Sequence, residues 1–184
     1  MPDQWVMDTS VFTHWHRARC EAILRRLSPG GRVVLIPDAV NAEVEIAREK
    51  YQDIPAVVEC AWAELVVLGP DEGAVQLAIQ SDMGAETPAD HAGEAAVIAY
   101  AQAHGCTAIL DEREAISQAD AYGVGARDSM WIVIEARHVL DGVDRAGAER
   151  MVDALLATGM WLPIKSGASL VSWAYEVGYL PRSG

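Results

Sequence analysis
Two short apolar runs in this chain each end in a carboxylate. The first is Trp5-Val6-Met7-Asp8-Thr9-Ser10, and the second, far along the chain, is Cys106-Thr107-Ala108-Ile109-Leu110-Asp111-Glu112. In an open α/β sheet the carboxyl ends of neighbouring parallel strands are where ligands and reactive groups collect. Two strand-end aspartates therefore predict one acidic pocket. Two glutamates belong to the same pattern. Val40, Glu43, Val44 and Ala47 fall at i, i+3, i+4 and i+7, so Glu43 points with the apolar residues while Glu45, Arg48 and Glu49 lie opposite. Asp90, Glu94, Val97, Ile98 and Ala101 likewise share one helix face.

A carboxylate turned toward a core must be paired, protonated or ligated, because an isolated buried charge costs several kcal/mol. The chain has just two lysines, Lys50 and Lys165, and no arginine stands at an obvious pairing offset from Glu43 or Glu94. A divalent cation is then the natural partner. Asp8, Glu43, Glu94 and Asp111 would supply four oxygen donors, a set suited to Mg²⁺ or Mn²⁺. Such an ion activates water and stabilises the leaving oxygen of phosphodiester hydrolysis, alone or with a second ion about 4 Å away.

The elements that must position these acids alternate between strands and helices. Apolar spacing predicts one helix over residues 11–27, stopped by Ser28-Pro29-Gly30-Gly31. A strand over 33–36 closes at Pro37, and Asp38 is the expected cap of a helix reaching Lys50. A short helix near 54–62, a strand over 65–68 and a helix over 71–82 follow. Thr87-Pro88-Ala89-Asp90 has the form of a helix start, with the helix running to His104. Gly93 inside it either admits another backbone closely or marks a later start. A fourth strand over 106–110 and a helix over 112–121 come next, then Gly123-Val124-Gly125-Ala126 as a weak fifth strand or a glycine-rich turn. Helices over 129–140, 146–157 and 168–177 complete the chain. Alternation followed by helices alone predicts a parallel α/β sheet with a helical C-terminal cap.

With 184 residues at 51% hydrophobic composition, the chain can bury one substantial core. Its net charge of −13 argues against a broad basic surface for gripping nucleic acid. The charges are unevenly spread. Arg17, Arg19, Arg25, Arg26 and Arg32 face the single acid Glu21, whereas thirteen acids between Asp38 and Glu94 face only Arg48 and Lys50. That asymmetry reads as a basic edge beside an acidic pocket, or as an ordinary solvated helix face. The three cysteines, Cys20, Cys60 and Cys106, have no CxxC spacing and read as reduced packing residues of a cytosolic protein. No leader and no membrane-spanning run are expected.

The order of motifs resembles the PIN domain, the nuclease fold of VapC-type toxins. The resemblance rests on Asp8-Thr9-Ser10 after the first strand, Glu43 in the helix after the second, His91-Ala92-Gly93-Glu94-Ala95-Ala96-Val97-Ile98, and Ala108-Ile109-Leu110-Asp111-Glu112-Arg113. It is nearest to the branch whose third motif is Gly-Glu-Ala and covers roughly residues 5–140. The resemblance implies a PIN-like three-layer α/β/α fold with a mostly parallel four- to five-stranded sheet over residues 1–140, and leaves 141–184 as a helical extension packed on the same domain. It further implies a cytoplasmic endoribonuclease dependent on Mg²⁺ or Mn²⁺, with Asp8, Glu43, Glu94 and Asp111 as the metal-binding, catalytic set. Ser10, Asp90, Glu112 and Asp128 are weaker candidates. A homodimer and a cognate antitoxin are the implied partners beside RNA. Where that branch often shows two aspartates, this chain has Asp111-Glu112, so either one is the metal-facing member. Asp128 reads as a fifth acid or as a helix cap.

Other readings carry less. Asp90 suits a helix N-terminal acid better than a ligand. The histidines are scattered, and Trp15, Trp131, Trp161 and Trp173 read as core or subunit-contact residues rather than base-stacking platforms. A haloacid-dehalogenase phosphatase needs an aspartate where Ser10 stands, and a receiver domain needs a lysine on a late strand that this chain lacks. The competing class is a non-catalytic PIN-like binding or regulatory protein whose acidic pocket receives an arginine from a partner.

Overall fold
The computed structural model describes residues 4–180. Five strands, β1 (Trp5–Met7), β2 (Val34–Pro37), β3 (Ala63–Val66), β4 (Thr107–Ile109) and β5 (Ala126–Arg127), pair in the order β3-β2-β1-β4-β5, all parallel. β1 and β2 are buried along their whole length, which is why they read as unbroken apolar runs rather than alternating ones. From β1 the chain first builds outward through β2 to β3, then returns to place β4 on the other side of β1. The reversal puts Asp8, at the end of β1, beside the place where the strand order switches direction.

Nine helices among the described residues flank the sheet in a three-layer α/β/α arrangement: α1 (Thr9–Arg17), α2 (Glu21–Leu27), α3 (Asp38–Lys50), α4 (Pro70–Asp82), α5 (Ala92–His104), α6 (Arg113–Ala121), α7 (Ser129–Val139), α8 (Arg145–Ala157) and α9 (Leu170–Glu176). Helix α5 packs on β1, β2 and β4, with α3 and α4 beside it. Ala95 through Ala99 are all buried, and their small side chains let the helix sit close to the sheet. Helix α7 packs on α2 and α8, and Trp131 meets Trp5 of β1 edge to face at 6.3 Å. Ala148, Val152, Leu155, Leu170 and Ala174 join the same core as the sheet.

Several local expectations are corrected. The helix expected over 11–27 is two helices. Cys20 N–H donates to the Trp15 carbonyl and Arg19 N–H to that of His16, with Arg19 at φ 56°, a Schellman ending without glycine. Asp38 is the first residue of α3, and its side chain makes no cap hydrogen bond. The expected start at Thr87 is instead a turn: the Asp90 carboxylate accepts from the N–H groups of Glu86 and Thr87, at 3.0 and 2.8 Å. The amide of buried Gln80 donates to the Pro88 and Asp90 carbonyls, so the helix begins only at Ala92. Residues 54–62 carry one 3₁₀ turn, Val57–Glu59. The third strand sits two residues earlier than expected because pairing with β2, from Val34–Ala63 to Pro37–Val66, sets its limits. Among the described residues, no helix is long and apolar enough to cross a membrane.

Candidate active site
Asp8 ends β1 and caps α1. Its Oδ2 accepts from the backbone N–H of Ser10 at 3.3 Å and from the Ser10 hydroxyl at 2.9 Å. Oδ1 is buried and has no hydrogen-bond partner. Burial, reinforced by the Glu43 charge, outweighs those two bonds and raises the Asp8 carboxyl from 3.8 to about 6.

Glu43 reaches from α3 to the first turns of two other helices. Its Oε2 accepts from the Thr9 hydroxyl at 2.5 Å, and Oε1 accepts from Gly93 N–H at 3.0 Å. Both donors lie where helix backbones present unpaired N–H groups and partial positive charge. A Cβ on residue 93 would stand 2.8 Å from each carboxylate oxygen, so only glycine admits Glu43 there. Of the two alternatives for Gly93 the later helix start holds, since α5 begins one residue before it, while what approaches it closely is the Glu43 side chain and not another backbone. Glu94, next along, is half-buried. Burial first, then the charges of Asp8, Glu43 and Glu112, push its carboxyl from 4.5 to about 7.

Asp111 follows β4. Its Oδ1 accepts from Ser129 N–H at 2.8 Å and its Oδ2 from the Ser129 hydroxyl at 2.9 Å. Ser129 is fully buried, and its Oγ in turn accepts from Trp15 Nε1–H at 2.8 Å. Burial still dominates, and with the Asp128 and Asp8 charges it raises Asp111 from 3.8 to about 7. Ser129→Ala leaves the Trp15 indole and one Asp111 oxygen short of a partner in the interior, an expected loss of about 1–3 kcal/mol. Thermal unfolding checks this, and a melting curve superposed on that of the wild type would contradict it.

Asp8 thus acts on Glu94 and Asp111, and Glu43 on Asp8 and Glu94. Glu112 is exposed but raises Glu94. Asp128 caps α7 by accepting from Trp131 N–H at 2.6 Å, and it also bears on Asp111. Asp90 is spent on its own turn, and its carboxyl is held below the usual range by the Thr87 N–H. Among the described residues the ion pairs are Arg48–Glu45, His104–Glu72 and Arg145–Glu149. No guanidinium or ammonium there neutralises Asp8, Glu43, Glu94 or Asp111. Nor, among the described residues, does any group of three or more Asp, Glu, His or Cys side chains stand close enough together to hold a metal ion. Asp8, Glu43 and Asp111 are held instead by Ser10, by Thr9 and Gly93, and by Ser129. The unsatisfied, buried Oδ1 of Asp8, near other hard oxygen donors, nevertheless fits a divalent cation.

A cavity of about 400 Å³ is lined by Asp111 of this set together with Ser10, Glu112, Arg113, Met160 and Trp161. Thr9, Ser129 and Trp15 had not been expected at the site. The hydroxyl of Thr9, directly after Asp8, is the one such signal that adjacency in sequence offers.

A family model described as PIN domain matches residues 4–175. No curated protein matches the chain significantly. PIN domains are generally nucleases, and they generally use divalent metal ions. Sheet order, strand-end acids and this match over nearly the whole described length agree, and the chain belongs to the PIN-domain family.

Proposed function
We propose that the protein is a metal-dependent endoribonuclease that cleaves RNA phosphodiester bonds, and that it serves as the toxin of a toxin–antitoxin pair. The observation that carries the nuclease reading is Asp8 Oδ1, buried without a partner beside acids that no described basic residue neutralises. Asp8, Glu43, Glu94 and Asp111 would hold Mg²⁺ or Mn²⁺, with Ser10 and Glu112 at the rim and Asp128 behind Asp111. A cation bound there lowers the pKa of water and offsets charge gathering on the phosphodiester oxygens.

The protein's own residues do the positioning. The Ser10 hydroxyl orients Asp8 through Oδ2 and leaves Oδ1 free. Thr9 and Gly93 fix Glu43 from both sides, and Ser129 fixes Asp111. Without a cation, the carboxylates repel a phosphate backbone, so substrate affinity is expected to depend on the metal. The Arg17 to Arg32 segment is the proposed backbone contact. Family membership supports a cognate antitoxin, a homodimer and a cytoplasmic setting. Residues 141–184 are proposed as a helical extension of a domain spanning 1–140.

That no group of three or more acids among the described residues stands close enough to hold a metal ion favours a second reading, a non-catalytic protein whose acidic pocket receives an arginine from a partner. Calorimetric titration with Mn²⁺ separates the two. The nuclease reading expects binding, a loss of affinity of about 10-fold or more in Glu94→Gln, and cleavage of single-stranded RNA that requires the metal. A protein that takes up neither Mn²⁺ nor Mg²⁺ would end it.

A further inference from the structure
Residues 160–164 alternate strictly in burial. Met160, Leu162 and Ile164 are anchored in the core, while Trp161 between them is 67% exposed. A large indole held outward by two buried neighbours is a fixed feature of the surface, since neither flanking residue can turn without leaving the core. Trp161 lines the 400 Å³ cavity that Asp111 also lines. A second cavity of about 170 Å³ shares Asp111, Arg113 and Trp161 with it, so both open along the same pair of side chains.

Arg113 is the pair's other member. Its guanidinium carbon lies 5.3 Å from the Trp161 ring centroid, and it forms no ion pair among the described residues. It is also the first residue of α6, where the helix dipole disfavours a cation. Beside the indole and in no ion pair among the described residues, that positive charge is available to an anion brought from outside. His14 also lines the larger cavity, its ring Nδ1 2.6 Å from the Thr158 hydroxyl.

We propose that Trp161 and Arg113 form a nucleotide subsite: the indole stacks one unpaired base, and the guanidinium takes an adjacent phosphate of the strand whose scissile bond lies at the acids. This rests on the nuclease reading above and narrows its substrate class. An A-form duplex keeps its bases stacked inside, so a base on Trp161 belongs to a single-stranded or looped RNA. Aromatic stacking is tolerant of base identity, whereas the charged neighbour tracks the backbone.

The test is steady-state cleavage of a short single-stranded RNA in Mn²⁺ by the full chain, with wild type, Trp161→Ala, Trp161→Phe and Arg113→Ala compared. Trp161→Ala is expected to raise KM about tenfold, the effect of unstacking one base from an aromatic ring, with kcat little changed. Trp161→Phe restores most of the loss. In a series of substrates carrying one abasic nucleotide at successive positions, one position near the cut is expected to raise wild-type KM by a similar factor and to have no further effect on Trp161→Ala. A merely structural Trp161 would not produce that cancellation. If wild type cleaves and Trp161→Ala keeps its KM, the subsite is wrong while the nuclease reading stands, and the cavity passes to a protein partner. If the wild type cleaves no RNA under any divalent metal, both fall together.

Discussion

Asp8→Asn is expected to abolish cleavage and, at pH 8 without metal, to make the protein harder to melt. The loss follows from changing the buried side-chain oxygen that has no hydrogen-bond partner among the described residues, Oδ1 of Asp8. Disturbing a group behind a metal ligand already costs about 10–100-fold, so a fall of at least about 10²-fold in rate is expected here. The gain in stability has a different origin. Burial, then the Glu43 charge, raises Asp8 from 3.8 to about 6, so the folded protein holds this proton more tightly than the unfolded chain. Ionised Asp8 therefore opposes folding: its penalty is fully present above about pH 6 and disappears as pH falls below about 4. A difference of about two pKa units corresponds to about 3 kcal/mol, an upper figure because the site relaxes.

Asparagine removes the charge and remains as good a cap for α1. For a domain of this size, 1–3 kcal/mol is about 2–10 °C in Tm. The same linkage makes the metal-free wild type more stable on acidification from pH 8 to pH 5: Glu94 and Asp111, both raised to about 7 chiefly by burial, act with Asp8 and together outweigh the smaller opposing effect of His14 and His16, which burial lowers from 6.5. Saturating Mn²⁺ should reverse the ranking, since only the wild type gains from binding. A variant that melts below the wild type at pH 8, or a wild type whose Tm falls toward pH 5, would contradict this account.

Gly93→Ala is expected to leave the fold intact and impair the site. Alanine favours a helix by up to about 1 kcal/mol over glycine, and Gly93 lies inside α5 without a left-handed φ, so stability should hold or rise. The added Cβ, however, would stand 2.8 Å from both Glu43 oxygens and 3.0 Å from their carbon. Glu43 must then leave, which breaks the 3.0 Å bond from Gly93 N–H. Affinity for Mn²⁺ and single-turnover rate should each drop about 10–100-fold, as for a displaced supporting contact. Unchanged metal affinity beside an unchanged rate would mean that Glu43 takes no part.

Much of this arrangement was legible in the residues alone. The buried strands follow from apolar runs, because a parallel sheet covered on both faces leaves no polar alternation. Glu43 and Glu94 stood out because helical periodicity places a charge on an apolar stripe. What escaped depended on distant partners. The break between α1 and α2 carries no glycine: Arg19 adopts the left-handed conformation within backbone bonds that local residue types do not announce. Thr87-Pro88-Ala89-Asp90 has a helix-start pattern, but Gln80 holds its carbonyls and keeps it a turn. Ser129 matters only because Asp111 and Trp15 meet there, the latter 114 residues away in the chain. For Trp161 the sequence leaves core and contact surface both open, because composition cannot tell which member of an alternating segment faces outward.

The sheet order has a further bearing on how this architecture changes over evolutionary time. A crevice exists at β1 because successive connections part there toward opposite edges, and that parting belongs to the backbone. Descendants that exchanged their acids for other side chains would keep the same hollow. Turning a cutter of RNA into a reader of it, or into a receptor for another protein, then requires altering a handful of side chains and no new topology.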